Sequence, residues 1–529
     1  MDKKRLPLHG TQRVVTGHRN RIAPLRKHQV VCVTLALRRK ANPESTLGRF
    51  ATPFQRKKYL SVAQAIQRFS HRQKDETAVR RFAREYHLEC KDVQPALIEL
   101  CGTVANINRA FGITLSLYAE DRFDAPYHGH EEEPTLPAYL ARVVTGVFGL
   151  DGHPAGRRGI TKKMVAAVIS PPPVTSRTRR PSDFADLYKF PTSTTGRGQS
   201  IGLLEFGGGF RPSALKSYFA SVATALPRIF VREIAPGANR PRGKKGTLNP
   251  DTEVYLDIEV AGSLARDATI VVYFGENTEQ GWLRTLQAAI LDERHDLSVI
   301  SISWGQAEQD WSPNALKEID DLFQLAAHRG ITICCSSGDN GVHETPGQSF
   351  TVCFPATSPH VLACGGTQLE VKRHGKRKET VWNQWRQYRL ASGGGYSELF
   401  SRPSYQKNQH KRRGIPDVAA NASSSTGYLI EADNTRMSMG GTSAVAPLWA
   451  ALIARFNEAL GTKSGLFTPT VYAMTAEMRD ALCDIVEGFN GPTRKTGYQA
   501  KRGWDACTGL GSPRGERMLE WLRLKQNKR

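Results

Sequence analysis

The chain has 529 residues, 40% of them hydrophobic, and a formal net charge of +23, which allows two or three domains with cores of their own. Residues 1–180 carry 32 Lys and Arg against 15 Asp and Glu, a net of +17, and the remainder carries +6. The cations are scattered, with no zinc-ligand, helix-turn-helix or RNP-like pattern beside them, so no nucleic-acid partner is expected. No apolar run reaches membrane-spanning length, so no membrane partner is expected either. Nine cysteines, an odd number with no CxxC, argue against a dense disulfide framework and a Cys-type zinc site. The basic N-terminus has no apolar stretch of the kind a conventional signal peptide needs.

In chain order, residues 30–150 form a compact α+β unit. "VVCVTLALRR" alternates as a strand; "SVAQAIQRF" and "ETAVRRFAREYHLE" have helical spacing. "PALIELCGT", "VANINRAFG" and "ITLSLYAED" give strand, helix and strand, and "LPAYLARVVTGVFGL" a helix running into a strand. Residues 151–181, with "DGHPAGRRG", "SPPPV" and "SRTRR", have the composition of an exposed, protease-accessible linker. From about residue 182 the texture changes. Short apolar runs ending in Gly or polar residues ("SIGLLEFGGG", "TIVVYFG", "LSVISISWG", "ITICCSSGD", "HVLACGGT") alternate with helices such as "TEVYLDIEVAGSLA" and "NALKEIDDLFQLAAHRG". That alternation predicts a parallel sheet with helices on both faces, its chemistry at the carboxyl ends of the strands.

One candidate nucleophile lies in "MSMGGTSAVAPLWAAL", residues 437–452, where Ser443 stands between two glycines and a buried helix. A serine at such a junction most often caps the helix; a helix N-terminus also favours a nucleophile. Pro447 is expected in the helix's first turn. A serine nucleophile needs a base. The one His-Gly-Thr, His9–Thr11, lies in the wrong domain for an ordinary subtilisin triad. In "DTEVYLDIEVAGSLA", Glu253 and Asp257 share a helix face with Val260, Ala261 and Leu264, while Tyr255, Glu259 and Gly262 point elsewhere. Two inward carboxyls repel and resist ionisation, and such a pair can share a proton. In "CCSSGDNGV", Asp339 follows a buried strand; protonated, it could donate a hydrogen bond to an oxyanion, and otherwise it is a turn aspartate.

Together these segments resemble the sedolisin family of serine-carboxyl peptidases, its kumamolisin-type members most of all, over nearly the whole chain. The resemblance implies a subtilisin-like doubly wound parallel sheet behind a ferredoxin-like α+β propeptide domain. It makes Ser443 the nucleophile, Glu253 the general base, Asp257 its partner and Asp339 the oxyanion donor, with Glu205 of "LLEFGGGF" and Trp304 of "SISWG" extending the hydrogen-bond chain. "CDIVEGFNG…YQAKRGWDACTGLGSP" resembles the family's calcium site. It implies one structural Ca²⁺ held by the carboxylates of Asp484 and Asp505 and the carbonyls of Ile485, Lys501 and Gly503. Lys501 stands where the family has glycine, and the loop between the aspartates is one residue shorter than the family's.

The implied organisation is a propeptide domain over 1–155, a linker with the processing site over 156–181 and cleaved between about 165 and 182, and a catalytic domain over 182–529. The implied activity is acid endopeptidase action on protein and peptide substrates, with the propeptide as intramolecular inhibitor docked by its positive charge on acidic surface. A monomer outside the cell is implied, export resting on the family alone. An atypical subtilase, an inactive binding protein of the same fold, and a basic nucleic-acid-associated protein are the competing readings.

Overall fold

The computed structural model describes residues 4–527 apart from 14–18, 44–58, 121–124, 159–172, 244–248, 346–347, 349, 373–375 and 408–409. Much of the linker over which a cut is expected lies outside the described residues.

The N-terminal unit runs β1 (Val30–Leu37), α1 (Val62–Phe69), α2 (Gln73–Glu85), β2 (Glu89–Gln94), β3 (Leu97–Thr103), α3 (Val104–Phe111) and β4 (Val144–Phe148). Its antiparallel sheet has the order β2-β3-β1-β4, the ferredoxin-like arrangement. The side chains of β1 divide by parity, as a strand's period of two requires. Val31, Val33, Leu35 and Leu37 enter the unit's own core. Ala36, with Leu97 and Phe148, instead joins an apolar cluster of the following domain that includes Trp311, Leu316 and Ile319. Cys32 and Cys101, opposite each other on β1 and β3, form a disulfide.

The second unit is built on an eight-stranded sheet. It uses β5 (Ser200–Glu205), α4 (Pro212–Ser221), β6 (Arg228–Glu233), α5 (Pro250–Leu264), β7 (Thr269–Phe274), α6 (Glu279–Ile290), β8 (Val299–Ile302), α7 (Pro313–His328), β9 (Thr332–Ser336), β10 (Leu362–Val371), β11 (Arg377–Val381), β12 (Val418–Asn421) and α8 (Thr442–Leu460). The strand order is β6-β7-β5-β8-β9-β10-β11, with β12 also on β10, and every pairing but β10–β11 is parallel. Strands buried on both faces account for the continuous apolar runs in the sequence. Helices α5 and α8 pack on each other on one side of the sheet; α6 and α7 cover the other and receive the N-terminal unit.

Buried ion pairs join the two units. Arg13 Nε lies 3.0 Å from Glu279, and Arg39 Nη1 lies 2.9 Å from Glu318 and 2.8 Å from Asp321. Gln280 donates to Thr34 Oγ1 at 2.9 Å. The stretch after residue 150 is less exposed than its composition predicts. Ala155 and Gly156 are buried, and their amides donate to Asn277.

Candidate active site

Three neighbouring strands deliver the candidate side chains at their carboxyl ends. Glu205 ends β5, Ser303 and Trp304 follow β8, and Asp339 lies three residues beyond β9. Trp304 Nε1 donates to Glu205 Oε2 at 3.0 Å. Residues Arg157–Arg158 run antiparallel to Trp304–Gly305 as an added strand, so the chain itself covers this edge.

Helix α8 brings the serine. Gly441, not Ser443, is its cap residue, and no side chain caps it; Ser443 is the second helical residue, so the N-cap role does not apply. Gly441 has φ +94°, and a Cβ there would lie 2.7 Å from Asp339 Oδ2. Both the backbone angle and the close approach require glycine. Asp339 Oδ1 accepts from Thr442 N and Thr442 Oγ1, each at 2.7 Å. Pro447 sits in the second turn, not the first. Having no N–H, it cannot bond to the carbonyl four residues back, which belongs to Ser443. That carbonyl is met by Ser303 Oγ at 3.1 Å, and Ser303 Oγ also lies 2.8 Å from Asp257 Oδ1. One hydroxyl proton serves one of these oxygens. Given to the carbonyl, it leaves a protonated Asp257 to donate to Ser303 Oγ. Ser303 thus ties the acid helix to the serine helix, a role that the pattern of "SISWG" alone does not show.

Helix α5 differs from its expected amphipathic form. All its residues from Asp251 to Leu264 are buried, so no outward polar face exists. Glu253 and Asp257 are fully buried, and so is Glu259, whose Oε2 accepts from Glu431 N at 3.0 Å. Burial pushes Asp257 and Glu205 well above the usual carboxyl range. The nearby Glu253 carboxyl raises both further, and Glu205 also raises Asp257. Three buried carboxyls this close cannot all ionise; they hold protons as one system. Burial likewise raises Asp339 to about 6, against the opposing pull of its Thr442 hydrogen bonds. Ser443 Oγ is buried and, among the described residues, has no hydrogen-bond partner. Among those residues no histidine bonds to Ser443, Asp257, Asp339 or Glu205.

A family model described as the pro-kumamolisin activation domain matches residues 18–152, and one described as the subtilase family matches residues 243–498. Kumamolisin from Bacillus sp. (strain MN-32) is 37% identical, with 96% of each chain covered. The chain belongs to the sedolisin family of serine-carboxyl peptidases. Sedolisin from Pseudomonas sp. (strain 101) is 28% identical over 79% of this chain and 73% of its own. A solved structure of Pseudomonas sedolisin, a serine-carboxyl proteinase complexed with two molecules of pseudo-iodotyrostatin, superposes with a TM-score of 0.60. It covers 66% of this chain and 99% of the other at 28% identity. As a sedolisin-family proenzyme the chain is a serine-type peptidase of subtilisin-like α/β fold. It carries a propeptide activation domain as intramolecular inhibitor and acts on peptide substrates. No described helix is long and apolar enough to cross a membrane.

The residues expected to hold calcium lie together in the C-terminal loops. Asp484 Oδ2 accepts from Gly503 N at 2.9 Å. Asp505 Oδ2 accepts from Lys501 N at 3.1 Å, and its Oδ1 from Cys507 N and Thr508 N at 2.9 Å. Asp505 is buried and raised to about 6 by burial. The carbonyls of Ile485, Lys501 and Gly503 accept no hydrogen bond from the described residues. Two carboxylates and three open carbonyls form an all-oxygen donor set of the kind a hard cation takes. Lys501 meets Asp505 through its backbone N–H and not through its side chain.

Proposed function

We propose that this proenzyme is an acid-acting endopeptidase working through an acyl-enzyme on Ser443. Asp339 carries the reading: it is buried, inclined to stay protonated up to about pH 6, and anchored to Thr442, the residue before the serine. In the proposed cycle Ser443 Oγ attacks the scissile carbonyl carbon and Glu253 takes its proton. Asp257, shared with Ser303, holds Glu253 in place and adjusts its charge. Glu205, bonded to Trp304, supplies a further protonatable carboxyl to the same cluster. The oxyanion accepts hydrogen bonds from protonated Asp339 and a backbone amide near Ser443. Glu253 returns its proton to the leaving amine, and water resolves the acyl-enzyme by the reverse sequence.

The pH range follows from the charges: the base must be ionised and Asp339 protonated, which places activity at roughly pH 3–5. Asp484, Asp505 and the carbonyls of Ile485, Lys501 and Gly503 would hold one Ca²⁺, whose charge would pin the C-terminal loops. The propeptide, residues 1–155, would leave after a cut within 156–181, releasing a monomeric catalytic domain over 182–529 outside the cell.

The test is the pH–kcat/KM profile of the processed enzyme with Glu253→Gln and Asp257→Asn alongside. A bell centred below pH 6, with kcat reduced by about 10²–10⁴ in Glu253→Gln, is the expected result. Full activity in Glu253→Gln, or an optimum near pH 8, would overturn the assignment.

A further inference from the structure

A cleft of about 1450 Å³ opens between the C-terminal loops and the segment that follows the candidate site. Five of its lining residues are Lys407, His410, Arg479, Lys501 and Arg502, all exposed. None of the five is in an ion pair with a described residue. The one carboxyl among the described lining residues is Asp484, which accepts from Gly503 N and which, with the carbonyls of Lys501 and Gly503, would face the proposed Ca²⁺. Four cations, Lys407, Arg479, Lys501 and Arg502, gathered round a cleft with almost no counter-charge repel one another, and an anionic occupant would relieve that repulsion. The cleft also has apolar walls. Tyr396 stacks on His410 with ring centroids 4.0 Å apart and lies 5.8 Å from the Trp504 ring.

The position links the cleft to catalysis. Ala391 N donates to Asp339 O at 2.9 Å, and Gly393 N to Gly338 O at 2.8 Å. Three residues after Gly393, Tyr396 lines the cleft. One short segment therefore braces the loop of Asp339 and walls the basic cleft.

We infer that this cleft is a second binding site for an anionic stretch of a polypeptide substrate, a run of carboxylates or phosphoserines, held while another part of the same chain is cut. The inference uses the chain's membership among peptidases and none of the assigned catalytic roles, so either can fail without the other.

The test uses the full chain with Ser443→Ala, calcium present, at pH 5, where glutamates are largely ionised. Fluorescein-labelled hexaglutamate, a di-phosphoserine peptide and hexaglutamine are titrated by anisotropy. Hexaglutamate or the phosphopeptide should bind at least tenfold more tightly than hexaglutamine, and less tightly as salt rises. Whichever of the two binds more tightly identifies the anion. The Lys407→Ser/Arg479→Ser/Arg502→Ser variant, which spares Lys501, should lose at least tenfold in affinity. A control, Lys216→Ser/Arg228→Ser, removes exposed cations on α4 and β6 and should change nothing. With processed wild-type enzyme, a Glu-extended substrate should show a KM at least tenfold below its Gln-extended counterpart at equal kcat. Equal binding of all three peptides, equal loss in the control, or binding of polygalacturonate but of neither anionic peptide would overturn the inference.

Discussion

Replacing Asp339 by asparagine should remove the alkaline limit of this enzyme. Asp339 is held at about 6 against an ordinary 3.8, so between these pH values the folded protein binds a proton that the unfolded chain has released. Stability therefore falls as pH rises through this window, by about 1.4 kcal/mol per unit and about 3 kcal/mol in all. It is fully present below pH 3.8 and lost above 6. An asparagine amide stays neutral throughout, and its carbonyl oxygen can still accept from Thr442 N and Oγ1. The difference in unfolding free energy between pH 4 and pH 7 should shrink by about 2 kcal/mol in Asp339→Asn, read by urea unfolding. The activity should show the same logic: wild-type kcat/KM falls about tenfold per unit above pH 6, whereas the variant, with an amide donor that does not titrate, holds its lower rate across that range. Asp339→Ala, with no donor, should lose about 10²–10³ in kcat. An unchanged alkaline limb in Asp339→Asn would assign that limb to another group and remove Asp339 from the oxyanion role.

Glu259→Gln should make the protein more tolerant of neutral pH, because burial holds this carboxyl well above its usual range and the amide needs no proton; Glu259→Ala, which strips Glu431 N of its acceptor, should cost about 1–3 kcal/mol by urea unfolding. Arg39→Ala leaves Glu318 buried without its cation and Asp321 with Lys317 alone, and should weaken propeptide docking by about 3 kcal/mol, so gel filtration after processing should show release at higher pH than in wild type. Calcium chelation should lower the unfolding temperature of the processed enzyme, and Asp505→Asn should abolish that dependence.

The alternation of short apolar runs with helices made the parallel sheet legible in the sequence, because strands covered on both faces need no polar side. The same cover defeats periodicity in α5. Packed against α8 and the sheet, it has no wet face, so the spacing of Glu253 and Asp257 showed that they share a side but not that Glu259 is as dry as they are. Ser303 was invisible for another reason. Its role depends on Pro447 freeing the Ser443 carbonyl, a relation between residues far apart in the chain that only the packing of β8 on α8 creates. The propeptide's charge was readable as a sum, but the sites of contact were not. Arg39, just after β1, and Arg13, in the segment before the sheet, matter because the fold sets them on Glu318, Asp321 and Glu279, while most of the other described cations of this unit face solvent.

The most direct measurement is the intact mass of the purified chain before and after incubation at about pH 4, with Ser443→Ala treated in parallel. The account predicts that the wild type sheds a fragment ending within residues 156–181 and that Ser443→Ala stays whole. Cleavage of Ser443→Ala at the wild-type rate, or survival of both chains together with added casein, would contradict it.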